Sequence, residues 1–138
     1  MLVIRPGAPS DLPAIAAIQS ASPQAASWPV EDYLNYTLSV AESDGSVRGF
    51  LAFRTVAEGE FEILNLAVAT EARRRGIGRA LVRSFLKESR GAVYLEVRLS
   101  NRPGIELYKS LGFQEVAVRT GYYALPPESA VVMKFHSC

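Results

Sequence analysis

Apolar positions recur along this chain with two periods, and their alternation predicts strands and helices in turn. Leu2-Val3-Ile4-Arg5 reads as a strand closed by Pro6-Gly7. Ser10 then suits a helix N-cap, because Leu12, Ile15, Ala16 and Ile18 follow as a helical stripe. Pro23 interrupts, and Ser27-Trp28-Pro29 starts a second helix through Tyr33 and Leu34, with proline at an early helical position. That helix continues to Leu38, or Leu38 to Ala41 begins a strand; the pattern leaves both open. Asp44-Gly45 turns the chain back into Val47 to Val56, and Glu58-Gly59 makes a further hairpin turn before Phe61 to Val68.

The next helix starts near Ile77 and carries Ile77, Ala80, Leu81, Ser84 and Phe85 on one face. Arg79, Arg83, Lys87 and Arg90 point to solvent, and Gly91 ends it. Val93 to Val97 is a short apolar strand of the kind buried in mixed sheets. Asn101 can cap a helix through Leu111, with Gly112 at C′. Phe113 to Val118 and Ala130 to Phe135 read as a closing antiparallel pair. The expectation is one α/β domain over residues 1–138 with a mixed sheet and no interior linker.

Composition removes several classes of function. A chain of 138 residues, 49% apolar and 21% charged, suits a single soluble globular domain with a real core. No apolar stretch would span a bilayer and no basic-then-apolar leader opens the chain, so no membrane partner is expected. Cys138 is the single cysteine and His136 the single histidine. A disulfide framework, a His triad and a metal site of Cys or His are therefore excluded, and a reducing cytoplasm fits.

Charge is uneven despite a net of +1: residues 71–90 carry a net +5 and the remainder −4. Nucleic-acid binding asks for a wider basic face than one segment, so no such partner is expected. A local basic patch with an acidic remainder suits an anionic cofactor and a cationic substrate.

The basic segment holds the main chemical signal. Ala72-Arg73-Arg74-Arg75-Gly76-Ile77-Gly78-Arg79-Ala80 lies between an apolar strand and a helix start. That arrangement offers unpaired backbone N–H groups, aligned peptide dipoles and Arg side chains to a pyrophosphate. A P-loop is excluded because no Lys-Ser or Lys-Thr follows a glycine. A dinucleotide fingerprint fails because Leu81 occupies the place of its third glycine.

Arg73-x-x-Gly76-x-Gly78 resembles the Gln/Arg-x-x-Gly-x-Gly/Ala signature of the GNAT superfamily of N-acetyltransferases. Asn101 with Leu107-Tyr108-Lys109-Ser110-Leu111-Gly112-Phe113 resembles its Asn…Leu-Tyr-x-x-Leu-Gly-Phe segment. Three further segments are similar to bacterial enzymes of the RimI type, which acetylate the N-terminal amine of a ribosomal protein. They are Ser27 to Glu31, Tyr94 to Asn101, and Gly121-Tyr122-Tyr123 ahead of Ala130 to Met133. The proline-rich stretch between Tyr123 and Ala130 departs from the expected turn.

The resemblance implies a GNAT-like fold: a mixed, mostly antiparallel sheet, helices on both faces and a splayed central strand pair. It implies acetyl-CoA as cosubstrate and a protein or peptide N-terminal amine as acceptor, in a monomer or homodimer. A polyamine, antibiotic or amino-acid amine is the alternative acceptor, and an acetyl-CoA sensor without turnover is the alternative class. Backbone N–H groups of Leu66, Ala67 and Val68 would polarise the thioester carbonyl. Those of Arg75, Gly76, Ile77, Gly78 and Arg79 would take the pyrophosphate, with Ala80 also in the cofactor site and Arg73 or Arg74 on the adenosine phosphate.

Glu96 would be the base, or else an ordinary strand carboxylate paired with Arg98 or Arg54; Glu62 is its rival. Period-two alternation sets Glu60, Glu62 and Leu64 on one strand face and Phe61, Ile63 and Asn65 on the other. Tyr108 would be the acid, or else an aromatic on a buried helix face with Ile105 and Leu111. Asn101 would cap its helix and contact the cofactor arm. Trp28, Tyr122 and Tyr123 would wall the acceptor pocket or pack as plain core. No metal is expected.

Overall fold

The computed structural model describes all residues except Gln24, Ser27, Leu125, Pro126, Ser137 and Cys138. The helix start expected at Ser27, the middle of the proline-rich stretch and the lone cysteine, Cys138, thus lie outside the described residues. The strands are β1 (Leu2–Pro6), β2 (Thr37–Ser43), β3 (Ser46–Ala57), β4 (Glu60–Val68), β5 (Ala92–Arg98), β6 (Gln114–Ala124) and β7 (Pro127–His136). They join in the hydrogen-bonded order β1-β2-β3-β4-β5-β7-β6. The helices are α1 (Leu12–Ser20), α2 (Ile77–Glu88) and α3 (Arg102–Ser110). The expected mixed, mostly antiparallel sheet is the one that forms.

Two compact units divide the chain: Met1–Arg54 with Leu64–Glu88, and Thr55–Ile63 with Ser89–Cys138. In the first, β1 and β3 both pair antiparallel with β2. Asp44 (φ 54°) and Gly45 (φ 78°) take the left-handed geometry that a two-residue hairpin demands. The Ser10 cap is corrected: Ser10 sits inside a 3-10 turn, Pro9–Asp11, and Asp11 is the N-cap position of α1, its carboxylate closing the 3-10 turn rather than bonding the helix. Its Oδ2 accepts from the Ala8 N–H at 2.8 Å, while Arg5 donates to both carboxylate oxygens at 2.9 Å.

The second helix is also corrected. Val30–Asn35 forms only a 3-10 turn, and Leu38 opens onto a strand, the other reading of that segment. Tyr33 of this turn packs between Trp28 and Phe50, with ring centroids 5.4 Å from each. On α2, Ile77, Leu81, Val82 and Phe85 are buried. Gly49 of β3 makes room for them: a Cβ there would lie 3.1 Å from the Ala67 carbonyl and 3.2 Å from Ile77.

In the second unit, β4 runs parallel to β5 from Glu60↔Ala92 to Ile63↔Leu95, and the pairing stops there. Gly91 is not the helix stop expected of it, since α2 ends at Glu88. Its role is close approach: a Cβ on Gly91 (φ 134°) would lie 2.1 Å from the Gly59 carbonyl oxygen. Asn101 does cap α3, accepting from Gly104 N–H at 3.1 Å. At the other end Gly112 (φ 103°) donates to Lys109 and Phe113 donates to Tyr108, each at 3.0 Å, the paired bonds of a Schellman stop.

The closing hairpin is longer than the sequence pattern suggested. β6 continues through Tyr122 and Tyr123, and Pro127, Glu128 and Ser129 of the proline-rich stretch belong to β7. Register slips between Glu115 and Ala117, and again between Arg119 and Tyr123. These bulges break the alternation that would have announced the strand.

Candidate active site

Arg74 (φ 65°) and Gly76 (φ 77°) bend the loop before α2, and α2 then begins at Ile77. The first intrahelical bond runs from Ala80 N–H to the Gly76 carbonyl at 2.9 Å. Helix geometry leaves the N–H groups of Ile77 and Gly78 without intrahelical acceptors. A Cβ on Gly76 would meet nothing within 4 Å, so the loop is open on that side. Arg74 and Arg75 are exposed. Arg73 is committed to the protein instead: its guanidinium donates to Val68 O (3.2 Å), Ala21 O (3.2 Å) and Ser22 Oγ (3.1 Å).

The strand leading into this loop is anchored by Asn65, a buried polar residue whose role the sequence pattern did not reveal. Its Oδ1 accepts from Ala26 N–H (3.2 Å) and Leu66 N–H (3.0 Å). Its Nδ2 donates to Ala26 O (3.0 Å) and Tyr33 Oη (2.7 Å). Tyr33 in turn donates to Gln19 Oε1, and Gln19 Nε2 donates to the Trp28 carbonyl at 2.8 Å. Trp28 stacks on Tyr33 with ring centroids 5.4 Å apart, so its ring belongs to this packed group. Of the three backbone positions expected to meet a thioester, Leu66 thus has its N–H engaged by a side chain.

The titratable candidates all lie in the second unit. Alternation along β5 half-exposes Tyr94, Glu96 and Arg98 while burying Val93, Leu95 and Val97. Parallel register sets Glu62 beside Tyr94, so Glu62 and Glu96 share a sheet face. The Glu96 side chain is 12% exposed, and its Oε2 accepts from Arg119 Nη1 at 3.0 Å. Arg98 pairs with Glu128 at 3.4 Å and lies 4.2 Å from the Tyr123 ring centre.

Two tyrosines from the β6 bulge reach Glu96. Tyr123 Oη donates to its backbone carbonyl at 3.3 Å, and the Tyr122 phenol lies beside its carboxylate. Burial first, and then that carboxylate, raise the Tyr122 phenol. Burial pushes Tyr123 up to about 12. Tyr108 is 6% exposed, and burial together with the neighbouring Tyr123 holds its phenol well above the usual range. Arg119 and Glu128 are site neighbours that sequence reasoning missed, because the bulged register of β6 and β7 hid them.

The sequence model of the acetyltransferase (GNAT) family matches residues 12–113, most of the chain. The chain belongs to this family. The GNAT enzyme described here is an acetyl-CoA-dependent N-acetyltransferase. It is 38% identical over 109 residues to the [ribosomal protein bS18]-alanine N-acetyltransferase of Escherichia coli, spanning 75% of this chain and 71% of that one. The crystal structure of the ribosomal-protein-S18-alanine N-acetyltransferase from Escherichia coli superposes with a TM-score of 0.86 at 29% identity, covering 100% of this chain and 96% of that one. Arabidopsis thaliana NAA60 in complex with acetyl-CoA gives 0.86 at 25% identity, covering 98% of both.

The loop of this GNAT enzyme fits the diphosphate of acetyl-CoA on its own geometry. The side of Gly76 where a Cβ would project is open, the first helical turn presents N–H groups, and exposed cations flank it.

Proposed function

We propose that this GNAT enzyme acetylates the N-terminal α-amine of a protein, with Glu96 receiving the amine. The observation that carries the reading is the mostly buried Glu96 carboxylate, which shares its sheet face with Glu62 and has the Tyr122 phenol beside it. A fixed anion among aromatic rings is what a cationic amine on a peptide end requires. Relatives named for acetylating a ribosomal protein's alanine support the protein acceptor.

Acetyl-CoA supplies the acetyl group as a thioester. The N–H groups at Arg75, Gly76, Ile77, Gly78 and Arg79 hold its pyrophosphate, and Arg74 meets the adenosine phosphate because Arg73 is already engaged. Ala67 and Val68 offer backbone donors to the carbonyl. Asn101, with Oδ1 used by the helix cap, has its amide nitrogen left for the cofactor arm. Glu96 takes the proton from the bound ammonium, and Glu62 is the second candidate for that role. Tyr108 holds its proton at neutral pH and offers it to the departing sulfur. Tyr122 and Tyr123 line the acceptor's approach.

Residues 1–138 are proposed to work as one N-acetyltransferase domain, a reading supported by a family match that runs through segments of both units. Among the described residues no helix is long and apolar enough to cross a membrane. A cytoplasmic monomer or homodimer, acting without nucleic acid or membrane, completes the proposal; the ribosomal acceptor of its relatives supports that location.

The test is release of free thiol from acetyl-CoA with a panel of N-terminal peptides, polyamines, aminoglycosides and free amino acids. Peptides should give the highest kcat/KM. A small amine outperforming every peptide would move the acceptor to that class, and tight acetyl-CoA binding without turnover would make the chain a sensor.

A further inference from the structure

The Arg119 guanidinium sits on the carboxylate that the acceptor needs. Its Nη1 bonds Glu96 Oε2 at 3.0 Å, and its Cζ lies 4.5 Å from the Tyr122 ring centre. Tyr122 itself lies beside the same carboxylate. A planar cation thus rests between an anion and an aromatic face, the surroundings that an alkylammonium also prefers. The two partners differ in burial: the Arg119 side chain is 57% exposed and that of Glu96 only 12%. Arg119 therefore covers Glu96 from the solvent side, and it enters from β6, an edge strand whose bulge follows directly at Arg119.

We propose that Arg119 is a specificity-determining residue that occupies the acceptor's ammonium seat, so that only an amine arriving as a cation can take Glu96 from it. This rests on the reading of Glu96 as the group that receives the amine. Exchange of one cation for another keeps the Glu96 carboxylate paired throughout. A neutral nucleophile would leave the guanidinium in place and find the carboxylate taken. The contact is weak enough to yield, because one partner is mostly in water and the ring contact is half-exposed. Its displacement costs the acceptor affinity of about three- to tenfold.

The experiment measures initial rates with acetyl-CoA and a peptide bearing a free N-terminal alanine, for wild type, Arg119→Ala, Arg119→Lys, Glu96→Gln and the double variant. Arg119→Ala should lower the peptide KM about three- to tenfold and leave the acetyl-CoA KM as it was, whereas Arg119→Lys should restore the wild-type value. Methylguanidinium, added at millimolar concentration to Arg119→Ala, should inhibit competitively against the peptide and not against acetyl-CoA. In the Glu96→Gln background, removing Arg119 should no longer change KM.

A peptide KM that is unchanged or raised in Arg119→Ala overturns the proposal while the role of Glu96 stands, provided Glu96→Gln has lowered kcat about a hundredfold. Full turnover in Glu96→Gln instead removes the reading of Glu96, and the seat with it. Circular dichroism on each variant separates a lost fold from a lost contact; a KM change confined to the peptide is one that misfolding does not produce.

Discussion

Truncating Asn65 to alanine should destabilise the protein by about 3–5 kcal/mol, a large effect for one exchange. Asn65 is 6% exposed and bonds Ala26 N–H, Ala26 O, Tyr33 Oη and Leu66 N–H. Alanine leaves both polar groups of Ala26 without their side-chain partner, at about 1–3 kcal/mol for each one that water cannot reach. Tyr33 keeps its bond to Gln19, so its share is smaller. A urea titration should show the midpoint falling with the slope unchanged. Trp28, the single tryptophan, stacks on Tyr33 and reports the transition by fluorescence. Asn65→Asp retains the acceptor oxygens but turns a carboxylate oxygen toward the Ala26 carbonyl, and should be no better than alanine. A loss under about 1 kcal/mol for Asn65→Ala would refute the claim that this side chain anchors the segment.

Other perturbations test the chemistry and the backbone. Glu96→Gln should lower kcat about a hundredfold with the acetyl-CoA KM nearly intact; unchanged turnover would pass the base role to Glu62 or water. Gly76→Asp should fold yet fail to bind coenzyme A in calorimetry, because it sets a charge on the open side of the loop; normal binding would misplace the site. Gly76→Ala and Gly91→Ala should part widely in thermal unfolding: about 1 kcal/mol for strain alone at Gly76, and about 3 kcal/mol or more at Gly91, where the added Cβ runs into the Gly59 carbonyl.

The last prediction concerns acid. Hydrogen bonding from Arg5 holds Asp11 below the usual carboxylate range, so its contribution is present above the unfolded value and is lost as pH falls through the folded one. The stability gap between wild type and Asp11→Asn should hold steady from pH 7 to about 4 and close below that. A gap independent of pH would contradict the assignment.

Much of this molecule could be read from its residues, and the exceptions share a cause. The Asn101 cap and the Gly112 stop depend on neighbours a few positions away, so local sequence announces them. An apolar run announced β5, and period-two alternation grouped Phe61, Ile63 and Asn65 on one face of β4, but neither showed what Asn65 binds, because Ala26 lies 39 residues away. Gly91 looked like a helix stop because its actual constraint comes from Gly59, in a different turn. The Glu96–Arg119 pair depends on two register slips in β6, and a bulge leaves no periodic trace.

The stop at the end of α3 fixes more than a chain reversal. Tyr108 O receives N–H bonds from Leu111 and Phe113, and the Tyr108 ring meets Phe113 edge-on at 5.4 Å. Six residues, Tyr108 to Phe113, therefore form a closed clamp whose length cannot drift without turning the phenol away. Gly112, which carries no chemistry of its own, becomes the hinge pin of the proposed proton donor. An insertion between Tyr108 and Phe113 would open this clamp and turn the phenol proposed as the acid away from its place.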